Sequence, residues 1–73
     1  MKEYLCIAGN YKEFQTWLQD KYVLLKYRYI FAPINLFGLF QYPVILIGTY
    51  YLRTDWKKLQ EIITYHEHYY EKI

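Results

Sequence analysis

Two short apolar runs, each closed by a glycine, constrain the fold of this chain more than any other feature. The first is EYLCIA, residues 3–8, followed by Gly9, and the second is VILI, residues 44–47, followed by Gly48. A continuous apolar run of this length is typical of a strand that is covered on both faces, as in a parallel sheet. We therefore predict a first strand at 3–8 and a central strand that ends at Gly48.

Helical spacing follows the first glycine. Asn10 is a suitable N-cap, and Glu13 three residues later completes a capping-box pattern. The residues that then recur at helical spacing are Tyr11, Phe14, Trp17 and Leu18. We predict a helix from Tyr11 to about Asp20.

A second helix is predicted after the central strand, where Thr54 or Asp55 can act as its cap. Its apolar stripe has alternating spacings of three and four residues and consists of Trp56, Leu59, Ile63, His66, Tyr70 and Ile73. This spacing predicts a helix that continues through the last residues of the sequence.

The segment between the two apolar runs contains a strand and a loop. In KYRYIF, residues 26–31, the aromatic Tyr27, Tyr29 and Phe31 alternate with Lys26, Arg28 and Ile30, which predicts an edge strand with one wetter face. Residues 33–43, PINLFGLFQYP, are bracketed by prolines and interrupted by Gly38, so we predict a loop with about one helical turn.

These elements predict one α/β domain over residues 1–73. We expect a small two-layer or three-layer sandwich, a Rossmann-like half, in which two helices cover a three-stranded, mostly parallel sheet. A right-handed crossover makes the first two strands parallel, and the strand order is then 2-1-3.

With the strand order 2-1-3, the direction in which successive strands are added to the sheet reverses between the first and third strands. Open α/β sheets bind ligands outside the carboxyl ends of the strands at such a switch point. The loops that meet there are GNY, residues 9–11, and GTYYLRTDW, residues 48–56. The candidate ligand-binding residues are therefore Gly9, Asn10, Tyr11, Thr49, Tyr50, Tyr51, Arg53 and Asp55.

Two interpretations of these loops stay open. In the first, the amino end of the first helix and the Arg53 guanidinium bind an anion, and a tyrosine stacks on a base. In the second, Gly9 and Gly48 only allow tight turns, Arg53 pairs with Asp55 or a helix end, and the tyrosines complete the core.

No motif in the sequence identifies an enzyme. Neither G-x-G-x-x-G nor G-x-x-x-x-G-K-[ST] occurs, which argues against a dinucleotide site and a P-loop. Cys6 is the only cysteine, and His66 and His68 are two residues apart, a spacing that cannot chelate one metal on a helix. We expect no enzymatic activity, no metal and no cofactor.

Charge and hydropathy indicate a cytoplasmic protein that does not enter a membrane. The net charge of +2 comes from nine basic residues spread along the chain, unlike the concentrated positive charge of a dedicated nucleic-acid binder. A single cysteine fits a reducing compartment. The longest apolar stretch, residues 36–47, is broken by Gly38 and Pro43 and is shorter than a membrane span.

The apolar loop offers a candidate interface, because a sheet this small cannot cover all of its large side chains. These side chains are Leu36, Phe37, Leu39 and Phe40. We expect them to form a contact in a homo-oligomer or with a partner.

Three segments resemble those of small bacteriophage proteins that have no assigned activity. The segments are AGNYKEF (residues 8–14), YRYI with the following LFG (residues 27–38) and GTYYLRTD (residues 48–55), similar to that family's AG-x-Y-x-E-F and GT-[WY]-[WY]-x-R-x-D motifs. The resemblance implies a phage origin, an accessory role and a location in the host cytoplasm.

Two functions are consistent with the sequence. The first is a non-enzymatic accessory module that binds a host protein or nucleic acid through the tyrosine- and arginine-lined crevice and the apolar loop. The second is a protein that binds and sequesters a nucleotide or nucleotide signal at the switch point, as an anti-defence protein could.

Overall fold

The fold is described from a computed structural model, which covers residues 3–21 and 26–72. It contains four strands and two α-helices within these residues: β1 (Glu3–Ala8), α1 (Tyr11–Leu18), β2 (Lys26–Tyr29), β3 (Val44–Ile47), α2 (Trp56–Ile63) and β4 (His68–Glu71). Two short 3-10 turns, Pro33–Leu36 and Tyr50–Leu52, flank β3 in the chain.

The four strands form one parallel sheet with the order β2-β1-β3-β4. Leu5 pairs in register with Arg28 on one side and Val44 on the other, so β1 lies inside the sheet. The α/β class, the parallel sheet, the two helices and the order 2-1-3 of the first three strands confirm the prediction from the sequence. The sheet has one strand more than predicted.

Each face of the sheet packs against a helix, which gives three layers. On one face, Cys6 and Ala8 of β1 and Ile45 of β3 pack with Phe14 and Trp17 of α1. The opposite face packs with α2 and the first 3-10 turn, and its buried members are Leu5, Ile7, Ile30, Leu36, Val44, Leu46, Leu59 and Ile63. Both faces of β1 and β3 are thus buried, as their uninterrupted apolar sequences indicate.

The prediction of a long second helix was wrong. α2 ends at Ile63, and His68–Glu71 form the parallel edge strand β4 beside β3. Tyr70, placed on the helical stripe by its spacing, instead pairs in register with Leu46. Ile73, the last residue of that stripe, lies outside the described residues.

The remaining boundaries differ from the predicted ones by short segments. α1 ends at Leu18 rather than near Asp20, and β2 ends at Tyr29 rather than Phe31. The proline-bracketed segment contains the expected single turn, Pro33–Leu36, with Pro33 in its first position, where the missing N–H costs nothing. Neither α1 nor α2 is long and apolar enough to cross a membrane.

Candidate functional site

The loops at the carboxyl ends of β1, β2 and β3 line an open cleft of about 470 Å³. Five of the predicted ligand-binding residues line it: Gly9, Asn10, Tyr11, Arg53 and Asp55. The other lining residues, which the sequence did not single out as site residues, are Tyr29, Phe31, Leu52 and Thr54. Thr49, Tyr50 and Tyr51 lie outside the lining of this cleft.

The switch point between β1 and β3 is filled by a side chain of the protein itself. The Glu13 carboxylate accepts the backbone N–H groups of Gly9 and Thr49, each at 2.8 Å, and the Thr49 hydroxyl, also at 2.8 Å. These are the donors that a bound anion would use at this position. A phosphate would therefore have to displace the Glu13 carboxylate.

Glu13 is held in the ionised form by these contacts. Burial alone raises the pKa of its carboxyl, but the hydrogen bonds from Gly9 and Thr49 outweigh burial and hold the pKa below its ordinary value. The N-cap prediction for Asn10 is confirmed, because its side-chain oxygen accepts the Glu13 N–H at 2.8 Å. In a capping box the Glu13 side chain would accept the Asn10 N–H, but here it accepts the N–H groups of Gly9 and Thr49 instead.

The two positions that follow β1 and β3 are occupied by glycine for different physical reasons. A Cβ at Gly9 would collide with the hydroxyl oxygen of Thr49, so this position requires glycine for close approach of the two loops. Gly48 has φ of +56°, a left-handed conformation that glycine adopts without strain. Together they bring Thr49 within reach of Glu13.

Arg53 is a buried structural cation, with a side chain only 7% exposed. Its Nε and Nη2 atoms donate to the two carboxylate oxygens of Asp55, each at 2.9 Å. Nη1 donates to the carbonyl of Ile30 at 2.7 Å, and Nη2 donates to the carbonyl of Phe31 at 2.9 Å. This geometry ties the loop after β3 to the end of β2, and it corresponds to the second interpretation of Arg53.

The segment 48–56 is thus both a connector and one wall of the cleft. Tyr50–Leu52 form a 3-10 turn, and α2 begins at Trp56, with Asp55 as an N-cap whose carboxylate bonds Arg53 in place of the helix. Tyr50 packs edge-on against Trp56 at 4.9 Å between ring centres. Leu52 projects beside the cleft and is 70% exposed.

Aromatic side chains form another wall of the cleft. Tyr11 stacks on Phe31 with 5.5 Å between ring centres, and Tyr29 contacts both rings edge-on. Phe31 is 66% exposed. Burial raises the pKa of Tyr29 despite the opposing effect of the Arg53 guanidinium, so its hydroxyl stays neutral at physiological pH.

The four predicted interface residues divide into two pairs. Leu36 is completely buried in the core, and Leu39 is half-buried against it. Phe37 and Phe40 are exposed at 62% and 53%, so these two remain as the surface of the apolar loop. Phe40 lies over the imidazole of His66, 5.4 Å between ring centres.

The histidines are not on a helix, contrary to the prediction. His66 lies buried in the turn before β4, with Nδ1 2.9 Å from the carbonyl oxygen of Tyr42, and His68 begins β4. Within residues 3–21 and 26–72, no three His, Cys, Asp or Glu side chains are grouped so that they could hold a metal ion. Burial raises the pKa of the Cys6 thiol to about 12, so this thiol is unreactive in the folded chain.

Comparisons with protein families, curated proteins and solved structures give no match for this chain.

Proposed function

We propose that this protein is a non-enzymatic binding module that captures an apolar segment of a partner protein in the cleft at the carboxyl ends of β1, β2 and β3. The observation that carries the proposal is the exposure of Phe31 and Leu52, which both line that cleft. Exposed aromatic and aliphatic side chains around a concavity are typical of protein-binding sites.

The polar groups of the cleft favour a protein, rather than a nucleic acid, as the bound partner. Among the described residues that line the cleft, Arg53 is the only cation, and its charge is balanced by Asp55. Affinity for nucleic acids comes mainly from Lys and Arg side chains that neutralise phosphates. A guanidinium that already bonds a carboxylate and two carbonyl groups contributes little to that, whereas apolar side chains of a peptide fit the aromatic wall.

The phage-like motifs support an accessory role for such a module. Glu13 and Thr49, from AGNYKEF and GTYYLRTD, fix the loops beside the cleft, and Arg53 and Asp55, from the second motif, line it. Residues of the two motifs therefore form the scaffold of the cleft. We propose that the partner bound in the cleft is a host protein in the cytoplasm. We further propose that Phe37 and Phe40 mediate self-association of the module.

A displayed library of random peptides, selected on the purified protein, tests the proposal. Selected apolar peptides should bind the native protein and lose at least tenfold in affinity with Phe31→Ser, since a central aromatic contact contributes about 2 kcal/mol. Tyr65→Ser is the matched control, because Tyr65 is also exposed and lies outside the cleft. Equal binding to Phe31→Ser, or selective binding of an oligonucleotide with a steep salt dependence, would overturn the proposal.

A further inference from the structure

A second cleft, of about 340 Å³, lies on the α1 face of the sheet, beside the carboxyl end of α1. Four aromatic side chains line it, together with one carboxylate, one ammonium and Ile45. The aromatic residues are Tyr4, Trp17, Tyr27 and Tyr69, and the charged residues are Lys21 and Glu71. The residues that line the first cleft are all different, so the two clefts are separate.

Three of the four aromatic rings pack against one another. Tyr27 packs perpendicular to Trp17, with 5.2 Å between ring centres, and stacks on Tyr4 at 5.6 Å. The Trp17 indole N–H points to Glu71 Oε1 at 3.4 Å, which orients the carboxylate at the edge of the rings. The cleft therefore combines the negative faces of aromatic rings with a formal negative charge.

The chain places its own cation in this environment. Lys21 Nζ lies 4.5 Å from the centre of the Trp17 ring and 3.8 Å from Glu71 Oε1. The Lys21 and Glu71 side chains are 27% and 44% exposed, so solvent reaches both groups. An ammonium over an indole face and beside a carboxylate is the arrangement by which proteins bind quaternary and alkylated ammonium groups.

We infer that this cleft is a binding site for an organic ammonium cation, and that Lys21 is an internal occupant which such a ligand displaces. The walls provide aromatic contact for the methyl groups of the cation, and Glu71 provides the compensating charge. Displacement is feasible because a solvent-exposed ion pair contributes little to stability. The inference concerns a separate cleft and does not depend on the proposed peptide-binding cleft.

Titration with choline and with its neutral isostere, 3,3-dimethylbutan-1-ol, separates cation recognition from simple apolar binding. The indole N–H resonance of Trp17 is the readout, because this group contacts Glu71 and a bound cation would change its surroundings. Choline should shift the resonance saturably and bind about twofold to fivefold more tightly than the alcohol, which is the size of an exposed cation–π contribution. Equal binding of the two compounds, or no shift with choline, would overturn the inference.

Substitution of the internal occupant provides the sharper test. Lys21→Met should tighten choline binding by roughly threefold to tenfold, since it removes both a competitor and a like charge. Lys57→Met, on α2 and outside this cleft, makes the same change in net charge and should leave choline binding unaltered. Glu71→Gln should weaken it. Weaker choline binding by Lys21→Met in a chain with an unchanged melting temperature would overturn the displacement.

A third binding experiment decides whether the cation belongs to a partner protein or is a free small amine. A short peptide that carries trimethyllysine is compared with the same peptide carrying norleucine and with free choline. Tighter binding of the trimethyllysine peptide than of choline identifies a partner protein as the source, and equal binding identifies a free small amine. Binding of the norleucine peptide as tight as that of the trimethyllysine peptide counts against the inference.

Discussion

The Glu13 carboxylate bonds both the backbone N–H and the hydroxyl of Thr49, each at 2.8 Å, across a sequence separation of 36 residues. This contact joins α1 to the loop after β3 at the point where the strand order of the sheet reverses. The same carboxylate also accepts the Gly9 N–H. One side chain thus completes the hydrogen bonding of two loops that would otherwise leave backbone donors unpaired.

Removal of this carboxylate should destabilise the fold strongly. Glu13→Ala leaves the Gly9 and Thr49 N–H groups partly buried without partners, and we expect the free energy of unfolding to fall by about 2 to 4 kcal/mol. Glu13→Gln keeps one acceptor oxygen and should cost less than half as much. Urea unfolding followed by circular dichroism measures both variants, and an equal loss in the two would contradict the role of the hydrogen bonds.

The lowered pKa of Glu13 also predicts a pH dependence of stability. A carboxyl group whose pKa is lower in the folded chain stabilises the fold fully above its ordinary pKa of 4.5, and this contribution is lost as the pH falls through the folded value. The free energy of unfolding of the native protein should therefore decrease in acid more than that of Glu13→Gln. Parallel pH profiles of the free energy of unfolding for the two proteins would exclude Glu13 as the source of the pH dependence.

Because Arg53 is paired with Asp55, substitution of Arg53 should lower the stability of the fold rather than weaken ligand binding. Arg53→Ala should reduce the free energy of unfolding by about 3 kcal/mol, because Asp55 and two carbonyl groups lose their donors in a partly buried site. Arg53→Lys should rescue little, since one ammonium cannot reproduce the planar fork that bonds Asp55 bidentately. An unchanged melting temperature for Arg53→Ala would contradict the structural role and restore the anion-site interpretation.

The missed fourth strand shows where sequence patterns were ambiguous. Tyr69 and Tyr70 suit a strand as well as a helix, and the spacing of His66 and Tyr70 continued the stripe of α2. One signal did point to a further strand. The apolar sequence of β3 predicts a central strand, whereas the order 2-1-3 leaves it at an edge, and β4 resolves this conflict by pairing with β3.

The sequence identified five of the residues that line the cleft, but it did not predict that Glu13 fills the switch point. Strand-ending glycines located the loops correctly, because the carboxyl ends of parallel strands meet at one edge of the sheet. The partners of Glu13 and Arg53 depend on side chains that cross between distant segments, which local spacing does not encode. The same limit applies to Phe31 and Leu52, which come from distant segments and line the same cleft only in the folded chain.

Self-association through the apolar loop is the next prediction. Phe37→Asp should dissociate the assembly without unfolding the domain, because Phe37 is 62% exposed and a charge there faces solvent in the monomer. Tyr51→Asp introduces the same charge at another exposed aromatic residue and should leave the assembly intact. Sedimentation equilibrium measures the mass, and a native protein with the monomer mass of 9.1 kDa at tens of micromolar would contradict the prediction.

The occupied switch point predicts that nucleotides leave the stability of the native protein unchanged. A ligand at 100 times its dissociation constant stabilises a protein by about 2.7 kcal/mol, which is readily seen as a rise in melting temperature. We expect no such rise with mono-, di- or cyclic nucleotides, because Glu13 occupies the donors of Gly9 and Thr49 and Arg53 is paired with Asp55. A saturable rise for one nucleotide would instead favour the nucleotide-sequestering function.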